Sequence, residues 1–143
     1  MARAEYTLPD DFLDRISRLA ERTDEIIPRV LEAGAEVVLE QVRSNLVAVV
    51  GVGTKFPSRS TGELVAALGI SPAKLDRNGN FNVKVGFDEP RQSGISNVMV
   101  GSILEHGKHG QPPRPFMRPA RSAAKLATID AMKRKLEEEV GSV

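Results

Sequence analysis

At 143 residues, 41% hydrophobic and 27% charged, the chain is the size of one domain and far from the low-hydrophobicity, high-charge composition of disordered proteins. Lysine plus arginine exceeds aspartate plus glutamate by only one, 20 against 19, which argues against wholesale binding to nucleic acid or anionic lipid and leaves only local contacts of that kind. The absence of cysteine excludes disulfides, thiolate metal sites and a cysteine nucleophile, and with no Trp, one Tyr and five Phe there are few rings on which bases could stack.

Residues 1–14 carry charges throughout with no apolar run like a signal-peptide core, and no later stretch approaches the roughly 20 apolar residues of a membrane span. A soluble, cytoplasmically made protein with no membrane partner is expected. Met1 to Thr7 reads as a mobile start, and Pro9 with Asp10 as a helix start, since Leu8, Phe12, Ile16 and Leu19 recur at helical spacing. Thr23 or Asp24 can cap a second helix, with Pro28 tolerated in a first turn whose amides lack partners anyway. From Ile27 through Val30, Leu31, Gly34, Val38, Val42 and Leu46 an apolar stripe of helical period runs to about Val50, where Gly51 and Gly53 end it.

Thr54 to Arg59, with a proline and the cations Lys55 and Arg59, reads as a loop and a candidate contact segment. Ser60 and Glu63 match a capping box for a short helix over Thr61–Leu68. Asn78-Gly79 is a strong hairpin signal, expected as a type I′ turn; Phe81, Val83, Val85 and Phe87 alternate with polar or small residues as a strand, whose partner is expected over Ile70–Leu75. Pro90 to Gly94 reads as a loop. Asn97 to His106 suits either a strand or a short helix; a helix ending at Gly107 is preferred. After a proline-rich connection, Lys108 to Pro115, one long final helix is expected from Pro119, with an acidic tail at Glu137, Glu138 and Glu139. The fold class is α+β: one domain over residues 1–143, with long N-terminal and C-terminal helices packed on a small antiparallel sheet built around a hairpin.

From Ile103 the chain reads Ile-Leu-Glu-His-Gly-Lys-His-Gly-Gln-Pro-Pro-Arg-Pro-Phe-Met-Arg-Pro-Ala. This resembles the tail-component family of long-tailed bacteriophages, whose pattern is Glu-x-Gly, a short variable loop, then Pro-Phe-hydrophobic-Arg-Pro-Ala opening a C-terminal helix. Glu105, Gly107, Pro115, Phe116, Met117, Arg118, Pro119 and Ala120 fall on it, and Thr61-Gly62-Glu63-Leu64 looks like the family's segment before its hairpin. Lys108 stands where the family usually has Thr, and Leu104 where many members carry an aromatic residue. The resemblance covers about Thr61 to Leu136. It implies a structural virion protein of the tail or neck, not an enzyme, that completes the tail and joins it to the head. Implied partners are the connector or stopper, the terminator and the tail tube, with a homo-hexameric ring in the particle and packaged DNA as a further contact.

The residues themselves leave alternatives open. Phe116 can pack as a staple at a helix entry, or with Met117 form an apolar anchor for a neighbouring subunit. Between Glu105 and Asp130 no acid occurs, while Lys108, Arg114, Arg118, Arg121 and Lys125 all do. Cations in a helix's first turn oppose its dipole, so this segment is either a solvated basic face or one awaiting an acidic partner: Glu105, a neighbouring subunit, or DNA. Glu105 is expected to form an ion pair with Arg118 or Arg114. Metal ligation by Glu105, His106 and His109 lacks the helical spacing that would fix ligand geometry, and no cofactor is implied. The subunit-interface set is then Lys55, Arg59, Glu105, Lys108, Arg114, Phe116, Met117, Arg118 and Arg121. The alternative functions are a terminator-like ring protein, or a nucleic-acid-binding protein using residues 108–125 on phosphates.

Overall fold

Two acids at the first turn of the first helix suit its dipole, and α1 (Asp10–Glu21) begins directly after Pro9, as its spacing predicts. The structure is a computed structural model that describes residues 9–51, 62–89, 94 and 96–143. Arg22 alone separates α1 from α2 (Thr23–Val49), whose 27 residues span roughly 40 Å. No side chain caps α2, and the Thr23 hydroxyl instead donates to the Leu19 carbonyl at 3.2 Å. Pro28 lies inside this helix and not in its first turn, so the Asp24 carbonyl forgoes its usual amide partner. Gly51, at φ 72°, turns the chain out of the helix.

The next helix is shorter than its sequence pattern suggests. α3 covers Glu63–Ala66, with Gly62 at φ 81° as its N-cap, and Leu68 already belongs to a strand. The expected mobile segment at Met1–Thr7, the Thr54–Arg59 loop with Lys55 and Arg59, the Ser60 cap and most of the Pro90–Gly94 loop fall outside the described residues.

The hairpin forms where Asn78-Gly79 points, but as two short ladders. β1 (Leu68–Ile70) pairs antiparallel with β4 (Val85–Phe87), and β2 (Lys74–Leu75) with β3 (Phe81–Asn82). Between the ladders the pairing slips by one residue: Ser71 still bonds to Lys84, whereas Lys74 is already opposite Asn82. Pro72 has no amide to contribute, and the extra residue makes this a bulge. The turn is not type I′, because Asn78 has negative φ and only Gly79 is left-handed, at 78°. The Asp76 carbonyl accepts from Gly79 N–H while its carboxylate accepts from the Asn78 and Asn80 amides at 2.8 and 2.9 Å. A three-residue loop closed by a left-handed glycine results.

α4 (Asn97–His106) is a helix, ending at Gly107 as preferred. Ser96 caps it by accepting from Met99 N–H, and the Glu89 carboxylate accepts from Ser96 Oγ and Val98 N–H, both at 2.6 Å. The final helix starts two residues before Pro119 and breaks once, giving α5 (Met117–Ala123) and α6 (Lys125–Gly141) around the buried Ala124.

The layers are α2 against α5 and α6 on one side and against the hairpin on the other. Core residues Val42, Leu46, Leu64, Leu68, Phe116 and Ala120 come from five different elements and junctions, with Val85, Phe87, Val100 and Leu104 packed around them. Two glycines set the spacing. A Cβ at Gly34 would stand 2.7 Å from Met132 Cγ, so its absence lets α6 lie close on α2; at Gly101 it would meet the Phe87 ring at 2.6 Å.

Candidate functional site

The Glu-x-Gly and Pro-Phe-x-Arg-Pro segments meet in space through one carboxylate. Glu105, in the last turn of α4, accepts from the amides of Phe116 (2.7 Å) and Met117 (2.9 Å) through Oε2, and of Arg118 (2.9 Å) through Oε1. These are the N-cap and first two residues of α5, and the third, Pro119, has no amide to satisfy. Partial burial alone would raise the Glu105 pKa. The three amide hydrogen bonds and the nearby His106 outweigh it, so the carboxyl is held below its ordinary value.

The expected ion pair between Glu105 and Arg118 is therefore replaced by backbone capping: Arg118 offers its amide, and the residue is exposed. The capping carboxylate also supplies the negative charge that a first turn with Arg118 and no acid otherwise lacks. Gly107 lets the chain double back, at φ 77° and with a Cβ position only 2.8 Å from the Gln111 carbonyl oxygen. Lys108 and Gln111 then bridge across a tight turn, and Arg114 N–H returns to the Leu104 carbonyl at 2.7 Å.

Phe116 is not a surface anchor. It is 1% exposed, its ring lies edge-on to Phe87 at a centroid distance of 6.0 Å, and its carbonyl accepts from the Asn45 side chain at 3.1 Å. Met117 is half-buried against the same core. Lys108, Arg118, Arg121 and Lys125 are exposed, and among the described residues their side chains form no ion pair. Among the same residues no three carboxylate or histidine groups converge as metal ligands.

All of these cations but Lys108 border a feature not foreseen from sequence, an open groove of about 1010 Å³ between α2, β4, α4 and the α5–α6 arm. Val38, Val42, Val85, Phe87 and Val98 give it apolar walls, and Glu105, Arg118, Arg121 and Lys125 lie along its rim. A surplus of apolar positions over what a small sheet can cover was the available signal. A second cluster also escaped the sequence reading. Glu139, in the acidic tail, is buried and bonds to Arg29 at 2.9 Å, with Lys135 at 3.5 Å and Arg22 at 4.0 Å. The Arg29 hydrogen bond leads in holding its pKa low, against burial and together with Lys135. It pins the end of α6 to the start of α2.

A family model, "Bacteriophage HK97-gp10, putative tail-component", matches residues 10–107, more than half of the chain. The chain belongs to this phage tail-component family. The match begins at α1 and ends on the Glu105-x-Gly107 turn, so it reaches further towards the N-terminus than the motifs that carried the resemblance and stops before Pro115–Ala120. No curated protein and no solved structure gives a significant match. The family is one of structural tail parts, and among the described residues of this tail component no helix is long and apolar enough to cross a membrane.

Proposed function

We propose that this tail component completes the tail and joins it to the head, as a hexameric ring in the neck of the virion docked between the connector and tail-tube rings. The observation that carries this reading is the run of exposed cations at Arg118, Arg121 and Lys125, which border an open apolar groove and, like the exposed Lys108, have no ion-pair partner among the described residues. Arginine pairs bidentately with carboxylates, which suits a neighbouring subunit's acidic surface. Arg114 belongs to the same proposed docking face, and Lys55 and Arg59 are proposed as further contacts on sequence grounds.

Reversing charge at Lys108 and Arg118, as Lys108→Glu with Arg118→Glu, is expected to abolish plaque formation while circular dichroism of the purified chain stays unchanged. Undiminished infectivity would remove the docking role. The same exposed strip supports a second reading, contact with DNA phosphates. That binding would weaken steeply as salt rises, with a slope set by the number of phosphates neutralised, whereas a subunit contact combining a few ion pairs with apolar walls would weaken less.

A further inference from the structure

One edge of the small sheet is open, and the groove follows it. In the β1–β4 ladder Asp88 N–H donates to the Ala67 carbonyl and Ser71 N–H to the Lys84 carbonyl, both at 2.8 Å. Antiparallel pairs alternate between hydrogen-bonded and non-bonded, so the bonded pair between these two is Gly69 with Gly86. Gly86 therefore turns its amide and carbonyl to β1, whereas Val85 and Phe87 turn theirs the other way, where among the described residues nothing bonds to them.

Val85 and Phe87 pack their side chains against the core and Gly86 between them has none, yet all three line the groove. A groove on one face of a strand meets alternate residues. One that meets three in succession runs along the backbone edge, and β1 already holds the opposite edge. Open edges are normally guarded by charge, proline or a covering element. Val85-Gly86-Phe87 has neither charge nor proline.

Across the groove stand Arg118, Arg121 and Lys125, with Val38 and Val42 of α2 among its apolar walls. Glu105, the acid among the lining residues, is already engaged by three backbone amides. The complement of such a groove is an extended segment: its main chain bonds to Val85 and Phe87, its apolar side chains meet the walls, and its carboxylates meet the rim. This chain has no such segment outside its described residues. Residues 1–8 hold Arg3 and Glu5, 52–61 hold Lys55 and Arg59, 90–93 hold Arg91, and Ile95 stands alone, so none is acidic.

We propose that the groove takes an acidic, extended segment of another tail protein as an added strand on the open edge of β4. This rests on the docking reading above and gives that docking its form, main-chain pairing for affinity and the basic rim for choice of partner.

The test is a titration of the isotope-labelled full-length chain, at neutral pH, with a short end-blocked peptide that alternates valine with glutamate. Saturable binding is expected, with the Val85 and Phe87 amide resonances shifting and their hydrogen exchange slowing about tenfold or more. Methylating one alternate set of peptide nitrogens should abolish binding while the other set tolerates it; the sensitive set is the valines in an antiparallel strand and the glutamates in a parallel one. Arg121→Glu with Lys125→Glu, both at exposed positions, should lose the glutamate peptide and gain its lysine counterpart. No binding, Val85 and Phe87 amides that still exchange freely in the complex, equal tolerance of both methylated sets, or equal binding of the two peptides by the native chain overturns the proposal. A groove that takes DNA phosphates leaves those amides free. Amides already protected in the purified chain also overturn it, assigning the edge to a second copy. The titration reads the purified chain alone: binding together with normal virions from a phage lacking the gene keeps the strand site and removes the neck role, and the opposite pair of results does the reverse.

Discussion

Replacing Phe116 with alanine is expected to lower the unfolding free energy by roughly 4 kcal/mol, a large share of the 5–15 kcal/mol typical of a domain. The side chain is 1% exposed and stands where α2, the β4 strand and the start of α5 converge, so its removal leaves a cavity that none of them can close alone. The edge-on contact with Phe87 adds about 0.5–1.5 kcal/mol beyond area burial. Urea unfolding should show the midpoint fall with an unchanged slope, and a loss below about 1 kcal/mol would mean the ring is not part of the core.

The second large effect belongs to Glu105. Alanine there strands the amides of Phe116, Met117 and Arg118 at the entrance to α5, and a lost cap together with orphaned donors is expected to cost about 2–3 kcal/mol. Glutamine keeps one acceptor oxygen and loses the charge, so it should fall between. Because the native carboxyl titrates below its ordinary value, its contribution is complete above roughly pH 4.3, the unfolded value, and is lost as pH falls through the lowered native value. Unfolding curves collected across that acid window should therefore converge for the native chain and Glu105→Gln as pH drops. Curves separated by the same amount at every pH would assign Glu105 no charge-dependent role.

Local signals are legible in the sequence, and long-range ones are not. The α1 start at Pro9-Asp10, the reversal at Asn78-Gly79 and the α4 end at Gly107 are set by residues within a turn of each other, and all three stand. The turn type was missed because Asp76 supplies side-chain hydrogen bonds that a two-residue signature does not contain. The bulge beside Pro72 and the break at Ala124 leave no mark in the apolar periodicity. Glu105 stands out in the sequence as a carboxylate beside a basic segment, but its three partners are backbone amides 11 to 13 residues away, invisible to a search for opposite charges. The Arg29–Glu139 pair spans 110 residues and has no sequence signature at all. Phe116 is open to two readings for a related reason: the same aromatic residue fits a core or a surface until the fold places it, here 1% exposed.

The central claim, a part that joins a finished tail to the head, is tested most directly by electron microscopy of lysates from a phage with a nonsense mutation in this gene. The account predicts filled heads lying beside separate, completed tails. Intact, infectious virions in normal numbers would contradict it.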